Sequence, residues 1–524
     1  MAQIEKYYYM CRFTQQSPLR VGTGEGEDTD SDVMTNRLGF PLIPGTSLAG
    51  VLRDALQTDD ADALFGSWLK IGDTDRGVSA DSAEWHESRI MISDAVLVTD
   101  AQDEDPSRHI VSRDGVGINE RGTAKAGAKY DFETVEWNRE TGSYVAVLEL
   151  SETVEKYLRL ALEDALLGWM EHGVSFGART TRGYGRMAVE VFRRGFTLSD
   201  KDGRQKWLDF DPMDCQNQKS GGEDLFGGTS LQEVRKEDTP ISPRTVSDVC
   251  PAVRIEAAIA MEGPFSVRRY TTDVGKQSPF PFQEKPPRRR DPQVRDYHMH
   301  PDFKPLENTA GKPVIPGTSW AGVFRHHMRD CIREVLPDGV DDGKRDSLLG
   351  ALNILFGSVE KSGGKRKSVI RFLETEIEGS SNLTVTRIAV DRFTNAPRNQ
   401  ALFTSSLACG GTGTLGIEMD VRFLPDKDWE TLKASLPLLV QFLAVCLRDL
   451  DLGVLTVGGE ANVGRGICRI TEWKTLPKDT EPFTIGESRW NGVSTDVQFT
   501  DFTKAVTELL DRQRPKLLNE EGGG

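Results

Sequence analysis

A doubled phrase places hydroxyl, glycine and arginine side chains in an order suited to binding phosphate. It reads PLIPGTSLAGVLR at 41–53 and PVIPGTSWAGVFR at 313–325. The Pro-Gly pair breaks the chain, and the Thr-Ser pair after it can cap the amides of a helix. Free N–H groups at a helix N terminus, a serine hydroxyl and an arginine about one turn later form a phosphate-binding arrangement. The predicted phosphate ligands are Ser47, Arg53, Ser319 and Arg325.

Two glycine-rich segments follow the same order further along the chain. FGARTTRGYGRM at 176–187 and VGGEANVGRGIC at 457–468 align without a gap on three glycines. Glycines let another backbone approach closely, and arginines attract phosphate, so both segments are predicted to contact a nucleic-acid backbone. The predicted contact residues are Arg179, Arg182, Gly183, Gly464 and Arg465.

These landmarks show that the chain is an internal duplication. An LFGS box follows each copy of the first phrase, at 64–67 and at 355–358. The motifs follow the same order in both units while the loop lengths differ, as expected when surface insertions diverge after a duplication. The predicted domains are 1–195 and 250–475, with a linker at 196–249 and a carboxyl-terminal extension at 476–524.

Each unit must position these residues with strands and helices in one repeated order. Alternating apolar residues predict an opening strand, and apolar residues at three- and four-residue spacing predict a long helix before each glycine segment. Long polar hairpins, here called the arms, lie between core strands. The order fits an α+β class, with helices on one face of an antiparallel sheet. The segments are opening strands 6–22 and 253–269, arms 113–149 and 387–423, and helices 154–173 and 429–453.

Charge and composition limit the function classes. A net charge of −16 argues against a protein that coats nucleic acid over its whole surface, but it allows a local groove. The segment 285–300 carries five Lys or Arg against two Asp, with Tyr and His between them. This composition suits phosphate contact and base stacking, and a solvated basic loop is the alternative.

Cysteine usage and hydropathy predict a cytoplasmic protein. The seven cysteines include no CxxC pair, so reduced thiols are expected and a zinc site is not. The amino terminus lacks the basic-then-apolar layout of a signal peptide. No apolar run approaches the ~20 residues of a membrane helix, so no membrane association is expected.

Five motifs together resemble the RAMP superfamily of CRISPR-associated proteins. They are the IPGTSLAGVLR phrase, the LFG box, ISDAVL at 92–97, IAVDRFT at 388–394 and the GARTTRGYGR segment. More narrowly, they look like the backbone subunits of type III effector complexes. Two such units in one chain are similar to the fused double subunit of III-D-like systems.

The resemblance implies two tandem ferredoxin-like, RRM-related RAMP domains with long thumb hairpins. Such domains grip a CRISPR guide RNA without reading its sequence, while the thumb pushes between bases of the guide–target duplex. The implied partners are the guide RNA, a complementary target RNA and other subunits of the effector complex. Base pairing then supplies the specificity.

The resemblance also implies an aspartate that cleaves target RNA with a divalent metal, expected to be Mg²⁺. In catalytic family members it lies in the loop before the IPG phrase. DVMTNR places Asp32 at that position, ahead of Asp28 and Asp30. The attack comes from the neighbouring 2′-hydroxyl, so imposed in-line geometry supplies much of the acceleration. A carboxylate-held metal ion can neutralise phosphate charge.

The second unit departs from this pattern because its loop is longer. Within RDYHMH, Asp296 is the first choice for a second catalytic and metal-binding residue, Asp302 is its competitor, and Asp291 lies in the same loop. A non-catalytic scaffold that only holds guide RNA is the alternative function. A guide-processing nuclease would need a histidine beside the glycine segment, where His172 ends an apolar helix and fits an ordinary helix terminus.

Overall fold

The structure is a computed structural model of the full chain. It describes residues 5–23, 32–56, 58–66, 87–98, 109–118, 124–136, 143–212, 226–237, 253–269, 304–308, 310–337, 339, 341–359, 365–422, 424–476, 483–485 and 495–513. Residue contacts divide the chain into two units. The first holds Met1–Ser112, Asp131–Thr180 and Tyr184–Asp248, and the second holds Arg113–Tyr130, Thr181–Gly183 and Val249–Gly524.

The first half of the chain contains ten strands and five helices among its described residues. The strands are β1 Glu5–Gln15, β2 Leu42–Ile43, β3 Ile90–Ile92, β4 Ala95–Val98, β5 Ile110–Ile118, β6 Ala124–Val135, β7 Ser143–Leu150, β8 Val174–Ser175, β9 Arg186–Thr197 and β10 Thr229–Ser230. The helices are α1 Gly45–Asp54, α2 Thr58–Phe65, α3 Lys156–His172, α4 Lys201–Leu208 and α5 Leu231–Glu237.

The sheet of the first unit is built around β1, as its alternating pattern predicts. Its strand order is β10-β9-β1-β7-β4-β2, with β3 on β7 and β8 on β9, and the paired strands are antiparallel. Tyr9, Cys11 and Phe13 are buried on the face that α1 and α3 cover. Successive residues of a strand point to opposite faces, so the consecutive apolar residues Tyr8 to Cys11 supply an apolar surface on both faces of the sheet.

The opposite face of this sheet is also covered. Tyr8 and Met10 pack there with Phe196 and Phe226 in a separate apolar cluster. The Trp207 indole of α4 donates to the Tyr8 hydroxyl at 2.9 Å. The described parts of the predicted linker, residues 196–212 and 226–237, therefore pack on the first unit.

A buried carboxylate ties α3 to the sheet. Glu163 is fully buried, and its Oε1 accepts from the Tyr9 hydroxyl at 2.9 Å, Arg159 at 2.8 Å and Arg193 at 3.0 Å. Burial and the adjacent Glu163 charge raise the pKa of Tyr9 well above its ordinary value. A buried carboxylate is tolerated when it is paired and hydrogen-bonded in this way.

The second half of the chain contains fourteen strands and four helices among its described residues. The strands are β11 Val253–Met261, β12 Pro264–Phe265, β13 Arg268–Arg269, β14 Lys304–Pro305, β15 Val314–Ile315, β16 Ser358–Val359, β17 Lys365–Arg366, β18 Ile370–Phe372, β19 Thr375–Glu376, β20 Ser381–Val390, β21 Pro397–Cys409, β22 Thr412–Met419, β23 Cys468–Leu476 and β24 Phe483–Ile485. The helices are α6 Gly317–Val335, α7 Asp342–Leu355, α8 Asp426–Asp451 and α9 Thr495–Arg512.

The core of the second unit lies between helices and one face of a sheet ordered β18-β22-β11-β23-β24. Helix α6 packs on this core through Trp320, Phe324, Met328 and Ile332, which recur at every fourth position and are all buried. Replacing such a buried aromatic side chain by alanine costs about 3–5 kcal/mol. The other face carries half-exposed charges, including the Arg254–Glu256 pair at 2.8 Å.

Helix α8 is long and apolar enough, by length and composition alone, to cross a membrane. More than half of its apolar stretch is buried, and Leu436, Leu439 and Leu443 belong to the core of the second unit. The core helix of a folded domain passes the same test. The expectation that no apolar stretch approaches this length is therefore wrong for α8.

Each predicted arm contains one pair of neighbouring strands, but its predicted bounds, 113–149 or 387–423, also take in a core strand, β7 or β22. The first pair is β5 with β6, and the second is β20 paired with β21 from Ser381 opposite Cys409 to Val390 opposite Pro397. The mixed helix and strand composition with antiparallel sheets confirms the α+β prediction. The ferredoxin-like detail and the domain boundaries stay predictions.

Candidate nucleic-acid interface

The doubled phrase begins a helix in each unit with the same backbone geometry. Helix α1 begins at Gly45 after Pro44, and α6 begins at Gly317 after Pro316. In both, the N–H of the serine two residues after the glycine donates to the proline carbonyl oxygen at 2.9 Å. Neither helix has a side-chain cap, so the predicted capping by the Thr-Ser pair is wrong. Proline takes the cap position, which leaves both hydroxyl residues inside the first turn.

The leading amide of α1 already has an acidic partner. The Gly45 N–H donates to Asp94 Oδ1 at 2.8 Å. A Cβ at Gly45 would lie 2.5 Å from the Ile92 carbonyl oxygen, so only glycine lets the helix begin this close to β3. A carboxylate at a helix N terminus stabilises it by roughly 0.3–1 kcal/mol. One N–H group of this helix end is therefore already paired with a carboxylate of the chain, and phosphate binding by Ser47 and Arg53 stays a prediction.

The arginines of the two phrases have different partners. Arg53 donates to the Gly66 carbonyl oxygen at 3.1 Å and pairs with the Asp62 carboxylate. Arg325 instead donates from Nη2 to the Asn353 side-chain oxygen at 2.9 Å. Its buried Nε has no hydrogen-bond partner among the described residues. Burial, and then the nearby positive charges of Arg329 and Arg182, lower the pKa of Arg325.

The two glycine segments have the same backbone. Ala178 N–H donates to the Arg20 carbonyl oxygen at 2.7 Å, and Gly459 N–H donates to that of Ser266, also at 2.7 Å. Each segment contains a single 3-10 turn. The three aligned glycines adopt left-handed φ in both: Gly177 80°, Gly183 83° and Gly185 74°, and Gly458 93°, Gly464 76° and Gly466 77°. The gap-free alignment is therefore also a structural equivalence.

In the first unit this segment lies against an aromatic ring at the base of the arm. The Arg179 guanidinium lies 3.8 Å from the centre of the buried Phe132 ring, and that of Arg20 lies 4.7 Å from it. Tyr184 meets the same ring edge-on at 6.3 Å. Cation–π contacts of this kind hold guanidinium groups in defined positions.

The second unit has a carboxylate where the first has Arg179. Glu460 aligns with Arg179 and shares its left-handed backbone, with φ 66° against 63°. Its two carboxylate oxygens pair with Arg387 of β20 and with Arg465. Arg465 is only 8 % exposed, so its ion pair with Glu460 lies within the segment. Its contact with RNA stays a prediction.

The remaining predicted contact residues differ in exposure. Arg182 is exposed, whereas Gly183 is buried. Gly464 is exposed, and a Cβ there would meet no atom within 4 Å. Ser47 and Ser319 are half-buried on the first turns of their helices. Contact of each with RNA stays a prediction.

Asp32 lies at the closing end of an acidic loop. Its carbonyl oxygen accepts from the Thr23 N–H at 3.1 Å, and the next residue, Val33, donates to Glu133 Oε2 at 2.9 Å. Asp32 itself is half-buried. Its competitors Asp28 and Asp30 lie outside the described residues, so the structure gives no comparison among the three.

The second catalytic candidate also falls outside the described residues. Asp296, its competitors Asp291 and Asp302, and the basic segment 285–300 all lie between 270 and 303. Their predicted roles therefore stay predictions.

The described residues do not by themselves form a complete metal site. They contain no group of three or more His, Cys, Asp or Glu that could hold one. Mg²⁺ commonly binds one or two carboxylates together with substrate phosphates. The half-buried carboxylate of Asp32 fits an ion shared with bound RNA and does not by itself form a complete protein site.

Sequence reasoning missed an aromatic residue at the tip of the second arm. Phe393 is 95 % exposed. The Asp391 carboxylate accepts from the N–H groups of Phe393 and Thr394, both at 3.0 Å, and from the Thr394 hydroxyl at 3.1 Å. These bonds lower the pKa of Asp391. The sequence signal is a single Phe inside the polar turn DRFTN.

His172 lies in the last turn of α3, before Gly173. It is exposed, and its Nε2 is 3.8 Å from Glu171. This position matches the ordinary helix-terminal role expected from the sequence.

Comparison with known families agrees with the repeated geometry. The RAMP superfamily profile matches residues 12–188 and again residues 298–469, which is more than half of the chain. The chain belongs to the RAMP superfamily. Each match includes one IPGTS phrase and all or nearly all of one glycine segment, so this RAMP protein is a tandem one. A comparison with curated protein sequences finds no significant match.

RAMP membership supports a CRISPR-associated, RNA-binding subunit, because proteins of this superfamily generally form complexes with RNA and with other subunits. The glycine segments and IPGTS helices are then the candidate RNA-facing parts of each unit.

Proposed function

We propose that this RAMP protein is a guide-RNA-binding backbone subunit of a type III CRISPR effector complex, with two fused units as in III-D-like systems. The observation that carries the proposal is that both halves of the chain repeat the IPGTS helix start and a glycine segment with the same hydrogen bond and left-handed glycines. Two equivalent binding units in one chain suit a ligand that itself repeats, such as a nucleic-acid backbone.

The chemistry of the candidate interface favours contact with phosphates over contact with bases. The exposed residues of the interface include Arg182 and the backbone of Gly464, and such groups contact the part of RNA that every sequence shares. Guide binding without sequence preference follows, and base pairing to a target supplies the specificity.

The proposal includes cleavage of the target RNA. In this step the 2′-oxygen attacks the adjacent phosphorus, the bond to the 5′-oxygen breaks, and the 2′-hydroxyl proton is transferred to the leaving 5′-oxygen. Asp32 and Asp296 are the proposed catalytic and metal-binding residues. Bound Mg²⁺ would supply positive charge at the phosphate. In the first unit, Asp32 lies one residue before Val33, which is hydrogen-bonded to Glu133 at the base of the arm.

Purification with the neighbouring genes tests the RNA-binding part of the proposal. The protein, co-expressed with its operon in the cytoplasm, is expected to copurify with CRISPR-derived RNA and other subunits. Sequencing the bound RNA should return one repeat-spacer pattern. A clean, RNA-free monomer from the native host would contradict the proposal.

A further inference from the structure

Two equivalent residues give the helix arginines of the two units different electrostatic surroundings. Asp62 and Asn353 each lie two residues before the leucine of the LFGS box. Asp62 pairs with Arg53, and Asn353 accepts a hydrogen bond from Arg325 at 2.9 Å. The contact is conserved between the units while the charge of the acceptor is not.

This difference changes what a phosphate group would meet. A guanidinium beside a carboxylate presents a dipole, whose field falls off faster than that of a single charge. A guanidinium beside a neutral amide keeps its full charge. Arg53 and Asp62 are both partly exposed, at 30 % and 47 % of their side chains, so a phosphate approaching Arg53 meets both charges.

Further cations reinforce the difference in the second unit. Helix α1 ends one residue after Arg53, whereas α6 continues to Val335 and places Arg329 one turn after Arg325. Arg182, which residue contacts group with the second unit, also lies close enough to act on Arg325 electrostatically. No carboxylate among the described residues forms an ion pair with Arg325 or Arg329. Mutual repulsion among these cations is relieved when a phosphate binds.

We propose that the residue at this position, Asp62 or Asn353, sets how strongly each unit's helix attracts the RNA backbone. The second unit therefore supplies the larger and more salt-sensitive share of phosphate binding. This inference rests on the proposed RNA-binding function.

Exchanging the two residues tests the inference. The full-length chain, freed of copurified RNA at high salt, is titrated with a fluorescein-labelled single-stranded RNA of mixed sequence at several salt concentrations. We expect Asn353→Asp to weaken binding roughly three- to tenfold and to lower the salt slope by about 0.7, the value for one phosphate contact on a single strand. Asp62→Asn should strengthen binding and raise the slope. A gain of this kind cannot come from unfolding.

Gln441→Glu is the matched control, because it makes the same amide-to-carboxylate change at an exposed position of α8. It should change affinity by less than Asn353→Asp does. Equal losses in these two variants, or unchanged binding in either exchange variant, would overturn the inference. Arg325→Glu distinguishes a failure of the tuning role from a failure of the proposed RNA-binding function. If it abolishes binding while Asn353→Asp has no effect, the RNA-binding function stands and the tuning role does not. If the unaltered protein fails to bind RNA, the proposed function itself fails.

Discussion

The glycine segments of the two units share a backbone and differ in charge at an equivalent position. Arg179 lies on the Phe132 ring, whereas Glu460 pairs with Arg387 and Arg465. The helix arginines differ in the opposite sense, because Asp62 neutralises Arg53 while Asn353 leaves Arg325 charged. The first glycine segment thus has an arginine where the second has a carboxylate, and the second helix has an arginine beside a neutral amide where the first has an ion pair. A duplicated backbone can keep its geometry while its side chains redistribute the contacts with one long ligand.

The largest effect should come from the catalytic comparison between units. Asp32→Ala is expected to abolish one cleavage position in a complementary target RNA, a loss of at least about a hundredfold, with guide binding intact. Asp296→Ala should abolish a second position, displaced by a fixed number of nucleotides, because the units are equivalent. Both cuts should need a divalent metal and stop when chelator is added.

An end-labelled target, cut by each single variant and by the double variant, gives the measurement. Asp32→Asn is the control that keeps the shape of the side chain. An unchanged ladder for Asp32→Ala would remove the first unit from the catalytic proposal and favour the scaffold function there. Loss in Asp302→Ala in place of Asp296→Ala would move the second site within its loop.

The ion pairs of the second glycine segment should contribute more to stability than exposed pairs do. Glu460→Ala leaves the buried Arg465 without its carboxylate and should lower the free energy of unfolding by about 3 kcal/mol. Glu262→Ala breaks an exposed pair with Arg469 in the same unit and should cost less than about 1 kcal/mol. Urea unfolding of the full-length variants measures both. Similar costs for the two changes would show that Glu460 does not hold its segment together.

The tip of the second arm should bind RNA through Phe393. Stacking of a base on an aromatic ring is worth about 1–3 kcal/mol, so Phe393→Ala should weaken RNA binding at least fivefold. Phe393→Tyr keeps the ring and should bind like the unaltered protein. Filter binding with a preformed guide–target duplex measures the RNA affinity of the two variants and of the unaltered protein. Equal affinity for all three proteins would exclude stacking at this position.

The smallest expected effect concerns the pH dependence of the same tip. Hydrogen bonds from Thr394 and Phe393 lower the pKa of Asp391. A carboxylate with a lowered pKa contributes stability above its ordinary pKa, and this contribution is lost as the pH falls through the lowered value. The turn should therefore be unchanged at neutral pH and loosen only in acid, below the usual range of an aspartate. The difference in tryptophan fluorescence anisotropy between Phe393→Trp and the unaltered protein, which has nine tryptophans, measures this. Adding Asp391→Asn should remove the transition.

Local patterns in the sequence determined the duplication, the helices before the glycine segments, the arms and the family. They did so because apolar periodicity and breaker residues act over a few positions, and the motifs repeat in the same order. Buried residues of α6 at every fourth position illustrate this directly. The predicted helix caps lie two or three residues too late, because Pro44 and Pro316 take the cap position ahead of the Thr-Ser pairs.

Only the tertiary structure determined which charged or neutral groups surround the predicted RNA-binding arginines. Asp62 and Asn353 are near Arg53 and Arg325 in sequence, but their contacts require two helices to pack against each other. Glu460 reaches Arg387 from 73 positions away. The sequence by itself identified the arginines, because their type and spacing are local. The charge that a phosphate meets at each arginine also depends on neighbouring groups a few ångströms away across the fold. No local sequence pattern specifies those distances.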